Sequence, residues 1–225
     1  MSVDDDFSRL LRDRVAAGTS LDTLLREMLS ALSASDGLTT LTEGTRLDLD
    51  RQRRCGHPEV IYAPGKTVDV LVKLIARLAD SGQDVLATRV TDSQADAAIA
   101  AFPRVIWNAT ARTLRQLQPD ADDGTTGRVV VLTAGTSDRG VAEEAVETLT
   151  WMRVGCDLIT DVGVAGPWRL LEQLPRLAGA SAVIVVAGME GALPSVVGGW
   201  VPCPVIAVPT SVGYGAAFSG LTAVL

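Results

Sequence analysis

Two short apolar runs near the end of the chain, residues 182–186 and 204–208, show the clearest pattern of hydrophobic positions. Both are rich in β-branched residues and lack polar alternation, so each is predicted to be a strand buried on both faces of a parallel sheet. Each run ends in a loop of small residues, at 187–191 and at 209–215. Because ligands bind beyond the carboxyl ends of the strands in open α/β sheets, we expect a binding site at these loops.

The same alternation of strand, loop and helix extends upstream. Apolar runs at 129–133 and 157–162 predict two more strands, each followed by a loop of small, hydroxyl or acidic residues. All four loops would lie at one edge of the sheet. Residues 128–225 are therefore predicted to form a doubly wound parallel sheet of the flavodoxin-like kind, with one ligand crevice.

The N-terminal half is predicted to hold two further parts. Residues 1–45 show a helical spacing of apolar residues, with Ser20 as an N-cap between two helices. Residues 46–118 alternate between strand and helix patterns, which predicts a small βαβαβ domain. Its expected strands are 59–62, 85–88 and 105–107. The polar, turn-rich stretch 118–127 is the expected linker to the C-terminal domain.

Composition disfavours several classes of function. With 27 acidic and 20 basic residues the net charge is −7, which argues against a nucleic-acid-binding surface. No apolar run reaches the length of a membrane span, and the acidic N-terminus does not resemble a signal peptide. The three cysteines have no metal-ligand spacing, so we expect free thiols in a reducing cytoplasm and no metal site.

Two of the loops offer candidate chemistry. Thr136, Ser137 and Asp138 follow Gly135 at the predicted start of a helix, where hydroxyls, backbone N–H groups and the helix dipole would cradle phosphate and ribose. Helix capping by Ser137 or Asp138 would also be sufficient to explain them. Glu190 directly follows an apolar strand, so partial desolvation is expected to favour its protonated form and to suit it to carry a proton. Helix capping is the alternative role for this glutamate.

A basic cluster, Arg51, Arg53, Arg54 and Lys66, concentrates positive charge in an otherwise acidic chain. We interpret it either as a solvated run of charges or as a clamp for phosphate or carboxylate, and spacing alone does not separate the two. His57 is the only histidine and stands beside a proline in a predicted turn, so it is expected to be structural rather than catalytic.

Five longer segments resemble a known family. They are R-R-C-G-H-P-E-V-I-Y-A-P-G-K-T at 53–67, A-G-T-S-D at 134–138, D-V-G-V-A-G at 161–166, A-G-M-E-G-A-L-P-S-V-V-G-G at 187–199 and P-V-I-A-V-P-T-S-V-G-Y-G at 204–215. Over about residues 47–225 the chain resembles LarB, the pyridinium-3,5-biscarboxylic acid mononucleotide synthase of nickel-pincer cofactor biosynthesis. Its C-terminal half is also similar to aminoimidazole ribonucleotide carboxylase of the purine pathway, whose first loop reads G-S-x-S-D.

Two features depart from the family pattern. Trp168-Arg169 stands where the family has His-Arg, so the role of that histidine is not transferred, whereas Arg169 keeps its place. The family's covalent cysteine belongs to an S-C-A-P-G segment, and none of the three cysteines lies in such a segment. We expect that segment to lie beyond Leu225, so that residues 1–225 bind substrate without turning it over.

The resemblance implies an enzyme that carboxylates the pyridinium ring of nicotinic acid adenine dinucleotide with CO₂. It also implies hydrolysis of the phosphoanhydride, which yields pyridinium-3,5-biscarboxylic acid mononucleotide and AMP. Glu190 is the predicted catalytic residue of this chain. The predicted substrate contacts are Gly135, Thr136, Ser137, Asp138, Arg169, Gly188, Met189, Gly191, Ser211, Gly213, Tyr214, Arg54 and Lys66.

The resemblance further implies a cytoplasmic homo-octamer with no tightly bound cofactor. It leaves open whether Mg²⁺ assists phosphoanhydride hydrolysis. Neither a nucleic acid nor a membrane is an expected partner. Two other functions stay open: a purine-pathway aminoimidazole ribonucleotide carboxylase or mutase, and a nucleotide-binding module without catalysis.

Overall fold

The computed structural model describes residues 19, 20, 22, 23, 38–42, 45–119 and 125–211. The chain divides into two compact units, Met1–Gly56 and His57–Leu225. The domain boundaries at 45, 118 and 128 stay a prediction.

A hairpin and a short helix make up the described core of the first unit. Strands β1 (Leu38–Thr42) and β2 (Thr45–Asp48) pair antiparallel, and helix α1 (Arg51–Cys55) follows. The prediction that residues 38–42 are helical is wrong, since the β-branched threonines of this segment favour a strand. The Thr23 amide donates to Ser20 Oγ at 3.2 Å, as expected of an N-cap. The rest of the predicted helical segment lies outside the described residues.

The second unit begins with a four-stranded mixed sheet. Its elements are β3 (Ile61–Tyr62), α2 (Val68–Asp80), β4 (Val85–Thr88), α3 (Asp92–Ala101), β5 (Ile106–Asn108) and β6 (Thr113–Gln116). The strand order is β3-β4-β6-β5; β3 is parallel to β4, and β6 runs antiparallel to both of its neighbours. Strand β6 was not predicted, because its sequence Thr-Leu-Arg-Gln contains a single apolar residue.

Helix α2 forms where its pattern predicts. The Thr67 hydroxyl accepts a hydrogen bond from the Val70 amide at 3.3 Å and caps the first turn. One face of the helix is buried through Leu71, Leu74, Ile75 and Leu78. This spacing of three and four residues anchors the helix on the sheet.

A second sheet of the same unit is fully parallel. Its elements are β7 (Arg128–Thr133), α4 (Arg139–Trp151), β8 (Gly155–Ile159), α5 (Pro167–Leu177), β9 (Ala182–Ala187), α6 (Ala192–Gly198) and β10 (Val205–Pro209). The strand order is β10-β9-β7-β8. This confirms the predicted doubly wound parallel sheet.

Helices cover both faces of the parallel sheet. Helix α4 packs with Val131 and Val186 on one face, and helices α5 and α6 pack with Val183 and Val185 on the other. The central strands β7 and β9 are therefore buried as predicted. Strand β10 departs from the prediction, because Ile206 is 50% exposed. It lies at the edge of the sheet and pairs on one side only within the described part of the chain.

Helix α4 also packs against the mixed sheet, and several contacts between them are made by polar side chains. Glu147 accepts from Arg115 Nε at 2.8 Å and from Asn108 Nδ2 at 3.1 Å. Glu144 accepts from Arg89 Nε at 3.2 Å. We call these five residues the polar seam.

Within the residues that the structure describes, no helix is long and apolar enough to cross a membrane.

Candidate functional site

The chain reverses its winding direction between two neighbouring strands of the parallel sheet. Strand β8 lies on one side of β7, and β9 and β10 lie on the other. Such a switch point opens a crevice beyond the carboxyl ends of the strands. A cleft of about 550 Å³ lies there, lined by the loops that follow β7, β8 and β9. Its size falls within the range of small-molecule sites.

The buried side chain of Asp138 holds the loop after β7 in place through hydrogen bonds. This side chain is only 4% exposed. Its Oδ2 accepts from the Gly135 amide at 3.1 Å, and its Oδ1 accepts from Thr210 Oγ1 at 2.7 Å. Asp138 therefore closes its own loop and ties it to the end of β10. Ser137 is exposed and, like Gly135 and Asp138, lines the cleft.

The loop after β9 presents its side chains outward. A hydrogen bond from the Gly191 amide to the Gly188 carbonyl closes the turn at 3.1 Å. Met189 has φ of 54°, which is uncommon for a residue with a long side chain, and strained residues of this kind cluster at functional sites. Met189 and Glu190 both line the cleft and both are exposed.

The expected desolvation of Glu190 is therefore wrong. The strand before it is buried, but the turn carries the side chain out of the sheet edge into an exposed position. Glu190 remains at the cleft, so its proposed chemistry depends on its position rather than on burial.

The loop after β8 supplies the third wall. A Cβ atom on Gly163 would lie 2.7 Å from the Ala134 carbonyl oxygen, so only glycine permits this approach of two loops. Arg169, on the first turn of α5, is the one basic side chain among the described residues that line the cleft. Trp168 beside it is 73% exposed and is not among those lining residues.

The structure brings together about half of the predicted site residues. Those that line the cleft are Gly135, Ser137, Asp138, Arg169, Gly188, Met189 and Glu190. Thr136, Gly191 and Ser211 do not line it, although each lies in or next to one of the predicted loops. Gly213 and Tyr214 lie outside the described residues.

Sequence reasoning missed the four residues of the loop after β8 as site residues. They are Gly163, Val164, Ala165 and Gly166. The available signal was the run of small residues directly after an apolar strand, which is the same signal that identified the other two loops.

The predicted basic clamp is largely neutralised within its own unit. Arg53 donates to Asp50 at 2.7 and 2.8 Å, and Arg54 bonds to Asp48 and, at 3.2 Å, to Asp50. The hydrogen bond from Arg53 holds the pKa of the Asp50 carboxyl below its usual range. Lys66 lies in the second unit, between β3 and α2, and is not among the residues that line the cleft. These contacts favour the interpretation of a solvated run of charges for Arg53 and Arg54.

His57 and the three cysteines also lie away from the cleft lining. The His57 ring packs against Trp151 with 5.7 Å between ring centroids. Cys156 and Cys203 are partly buried against the two faces of the parallel sheet, and Cys55 is exposed. Among the described residues, no group of three or more His, Cys, Asp or Glu side chains is arranged to hold a metal ion.

Comparisons with known proteins match both halves of the chain. Residues 39–118 match the LarB/PurE-like N-terminal domain, and residues 128–225 match AIR carboxylase. Uncharacterized protein MJ0165 of Methanocaldococcus jannaschii is 40% identical over 192 residues, which cover 82% of this chain and 75% of that protein. Chance similarity does not extend over such a length with a cleft at the expected position in the fold. The chain therefore belongs to the LarB family, a carboxylase-type family that joins a LarB/PurE-like N-terminal domain to an AIR carboxylase domain.

Proposed function

We propose that this protein carboxylates the pyridinium ring of nicotinic acid adenine dinucleotide and hydrolyses its phosphoanhydride. The products are pyridinium-3,5-biscarboxylic acid mononucleotide and AMP, for nickel-pincer cofactor biosynthesis. The observation that carries the proposal is the cleft at the switch point, where Ser137, Arg169 and Glu190 meet in a chain whose two halves match LarB/PurE-like and AIR carboxylase domains.

The walls of the cleft suit a ligand with a flat ring and a phosphate. Gly135 and Gly188 line the cleft without side chains, so a planar ring can approach their backbone closely. Arg169 provides the positive charge, and the N-terminus of α5 adds a favourable dipole for an anion. Ser137 adds a hydroxyl for ribose or phosphate.

The chemistry begins with activation of the ring, because a cationic pyridinium cannot itself attack CO₂. A cysteine thiolate adds to the ring and gives a neutral dihydropyridine, whose free carbon attacks CO₂ and forms the new C–C bond. The proton on that carbon is then removed, and the thiolate leaves as the ring regains its aromatic state. We assign the removal of this proton to Glu190, whose exposed carboxylate lines the cleft. We assign this addition to the cysteine that the LarB family has in an S-C-A-P-G segment, which residues 1–225 do not contain.

The competing enzyme activity is that of an aminoimidazole ribonucleotide carboxylase, because residues 128–225 match AIR carboxylase. Trp168 in place of the histidine, and the N-terminal half that precedes the AIR carboxylase domain, count against this activity. We further propose a homo-octamer in the cytoplasm, no tightly bound cofactor, and Mg²⁺ as the ion to test in phosphoanhydride hydrolysis.

Calorimetry with the two substrates tests the proposal. Nicotinic acid adenine dinucleotide should bind with at least tenfold higher affinity than aminoimidazole ribonucleotide, and the reverse preference would contradict it. Incorporation of labelled bicarbonate is then measured on a chain that includes the S-C-A-P-G segment, with its cysteine replaced by alanine as the control. Release of AMP, with and without added Mg²⁺, tests the hydrolytic step.

A further inference from the structure

Arg169 stands out because the other charged side chains that line the cleft are acidic. Among the described residues these are Asp138 and Glu190. Among the described side chains that line the cleft, Arg169 is therefore the one that offers positive charge to an anionic ligand, beside the Ser137 hydroxyl and backbone N–H groups. The contacts that position the Arg169 guanidinium therefore affect the affinity for an anionic ligand.

Asp161 holds Arg169 through a direct ion pair. Arg169 Nη1 donates to Asp161 Oδ1 at 2.8 Å, and both side chains are about half exposed. This is the one hydrogen bond of the Arg169 guanidinium to another described residue, and Arg169 lines the cleft, so its other N–H groups have no described protein partner. A guanidinium presents five N–H donors in a fixed fork, so one can be fixed while others bind a ligand.

The backbone of Asp161 is itself fixed in an uncommon conformation. Its φ is 61°, in the left-handed region that residues other than glycine rarely adopt. Its amide donates to Thr133 Oγ1 at 3.2 Å, and Thr133 is fully buried at the end of β7. The backbone of Asp161 is thereby anchored to the end of the central strand β7.

Gly166 leaves the space that Arg169 occupies. A Cβ atom at this position would lie 2.8 Å from Arg169 Nε and 3.2 Å from its Cδ. The φ of Gly166 is −122°, which any residue adopts, so the backbone itself does not require glycine. Glycine is required at position 166 because the side chain of Arg169 occupies the space that a Cβ atom would fill.

We propose that Asp161 and Gly166 are positioning residues that hold the Arg169 guanidinium in the cleft to receive a phosphate group of the substrate. This inference rests on the proposed function and extends it to residues outside the reacting centre. Fixing the arginine before binding removes part of the entropy that a long side chain loses when it becomes ordered. Asp161 acts through Arg169 and not on the ligand.

The test uses two substitutions that leave the rest of the fold in place. Gly166→Ala displaces the flexible end of Arg169, and the fold tolerates it because no backbone atom is crowded. Asp161→Gly removes the carboxylate and also relieves the positive φ. Asp161→Asn is the conservative variant, because asparagine accepts a hydrogen bond and tolerates the left-handed region.

The same helix offers a matched control. Near the far end of α5, Arg176 Nη2 donates to Asp157 Oδ1 at 2.5 Å, in an ion pair with similar exposure whose residues do not line the cleft. Asp157→Asn weakens an Asp–Arg pair of the same helix without touching Arg169, although Asp157 also pairs with Arg128 at 3.6 Å. Gly198→Ala controls for the glycine substitution, because a Cβ there meets nothing within 4 Å.

Affinity is measured for nicotinic acid mononucleotide and for the matching riboside, which lacks the phosphate. We expect Gly166→Ala and Asp161→Gly to weaken mononucleotide binding by about tenfold, on the scale of the entropy of one long side chain, and to leave riboside binding unchanged. Asp161→Asn should retain most of the wild-type affinity for the mononucleotide. The controls Asp157→Asn and Gly198→Ala should bind both ligands as the wild type does. Equal losses for the two ligands, or no loss with either, would overturn the inference.

The outcomes separate this inference from the proposed function. If the wild type binds aminoimidazole ribonucleotide instead, and the same two variants weaken that binding, the proposed function is wrong and the positioning role stands. If no phosphate-bearing ligand binds more tightly than its phosphate-free counterpart, both are contradicted.

Discussion

Asp138 and Glu190 are two carboxylates at the same edge of the same sheet, and the structure uses them in opposite ways. Asp138 is 4% exposed and accepts two hydrogen bonds from the protein, whereas Glu190 is exposed in the turn after β9. Both line the cleft. A position at the end of a strand therefore brings a side chain to the cleft. The conformation of the turn then determines whether that side chain hydrogen-bonds within the protein or is left exposed to a ligand.

The direction of each turn explains the difference. The loop after β7 passes through one turn of 3₁₀ helix at Thr136–Asp138, which folds the Asp138 carboxylate back on the Gly135 amide. The turn after β9 is closed by backbone atoms of Gly188 and Gly191, which leaves the Glu190 side chain uninvolved in holding it. The Glu190 carboxylate makes no hydrogen bond or ion pair with another described residue, so it is available for chemistry.

The largest effect is expected from Glu190→Gln. In a chain with the S-C-A-P-G segment, carboxylated product should fall on the order of a hundredfold or more, the usual scale for a lost general base. Dinucleotide affinity and thermal stability should change little, because the side chain is exposed. Single-turnover assays with labelled bicarbonate measure the effect, and a loss that appears only in KM would contradict the assigned role.

Asp138→Ala is expected to affect stability, whereas Glu190→Gln affects activity. It should reduce the free energy of unfolding by about 1–3 kcal/mol. Removing the carboxylate leaves the Gly135 amide and the Thr210 hydroxyl without their acceptor. Urea denaturation provides the measurement, with Glu190→Ala as the matched carboxylate control.

Ser137→Ala should affect dinucleotide binding alone, because Ser137 is exposed. Ser137 and Asp138 must therefore be changed separately.

A smaller effect, about 1 kcal/mol, is expected for Thr210→Val, which removes one hydrogen bond to the same carboxylate. A double-mutant cycle with Asp138→Ala should give a coupling energy of at least about 0.5 kcal/mol. Additive changes would show that the contact between the β7 loop and β10 does not stabilise the site.

The smallest effect extends the comparison to a carboxylate that is paired with arginines, Asp50, whose side chain is 20% exposed. Asp50 has a lowered pKa because Arg53 donates a hydrogen bond to it. A lowered carboxyl pKa stabilises the folded state above the pKa of the unfolded state, and this contribution is lost as the pH falls through the folded pKa. Arg53→Gln should move the Asp50 pKa upward in an NMR titration with no resolvable change in melting temperature at neutral pH; an unmoved pKa would exclude Arg53 as its cause.

The parallel sheet could be predicted because three of its four strands contain long apolar runs, such as Val129–Val131 within β7. Strand β6 could not, because Thr113 and Gln116 are polar residues that become buried only through their neighbours in the sheet. The local sequence pattern indicates which face of a strand is apolar. It does not indicate which neighbouring element will bury the polar residues.

For the site, the sequence predicted the loops but not the environment of individual side chains. Burial of Asp138 depends on Thr210, which lies 72 residues away along the chain. The pairing of Arg53 with Asp50 is local, yet composition alone presented the arginine as a free charge. Position at a strand end can be predicted from pattern, whereas exposure and pairing follow from turn geometry and distant contacts.

The polar seam along helix α4 has a consequence for how the protein can change during evolution. A close-packed apolar core couples the shapes of all the side chains that fill it. The seam adds directional contacts between the two sheets, such as those of Glu147 with Arg115 and Asn108, beside the packing of Trp151 on His57. As long as these contacts are retained, the core of each sheet can accumulate substitutions independently, so the cleft can be remodelled without redesign of the mixed sheet.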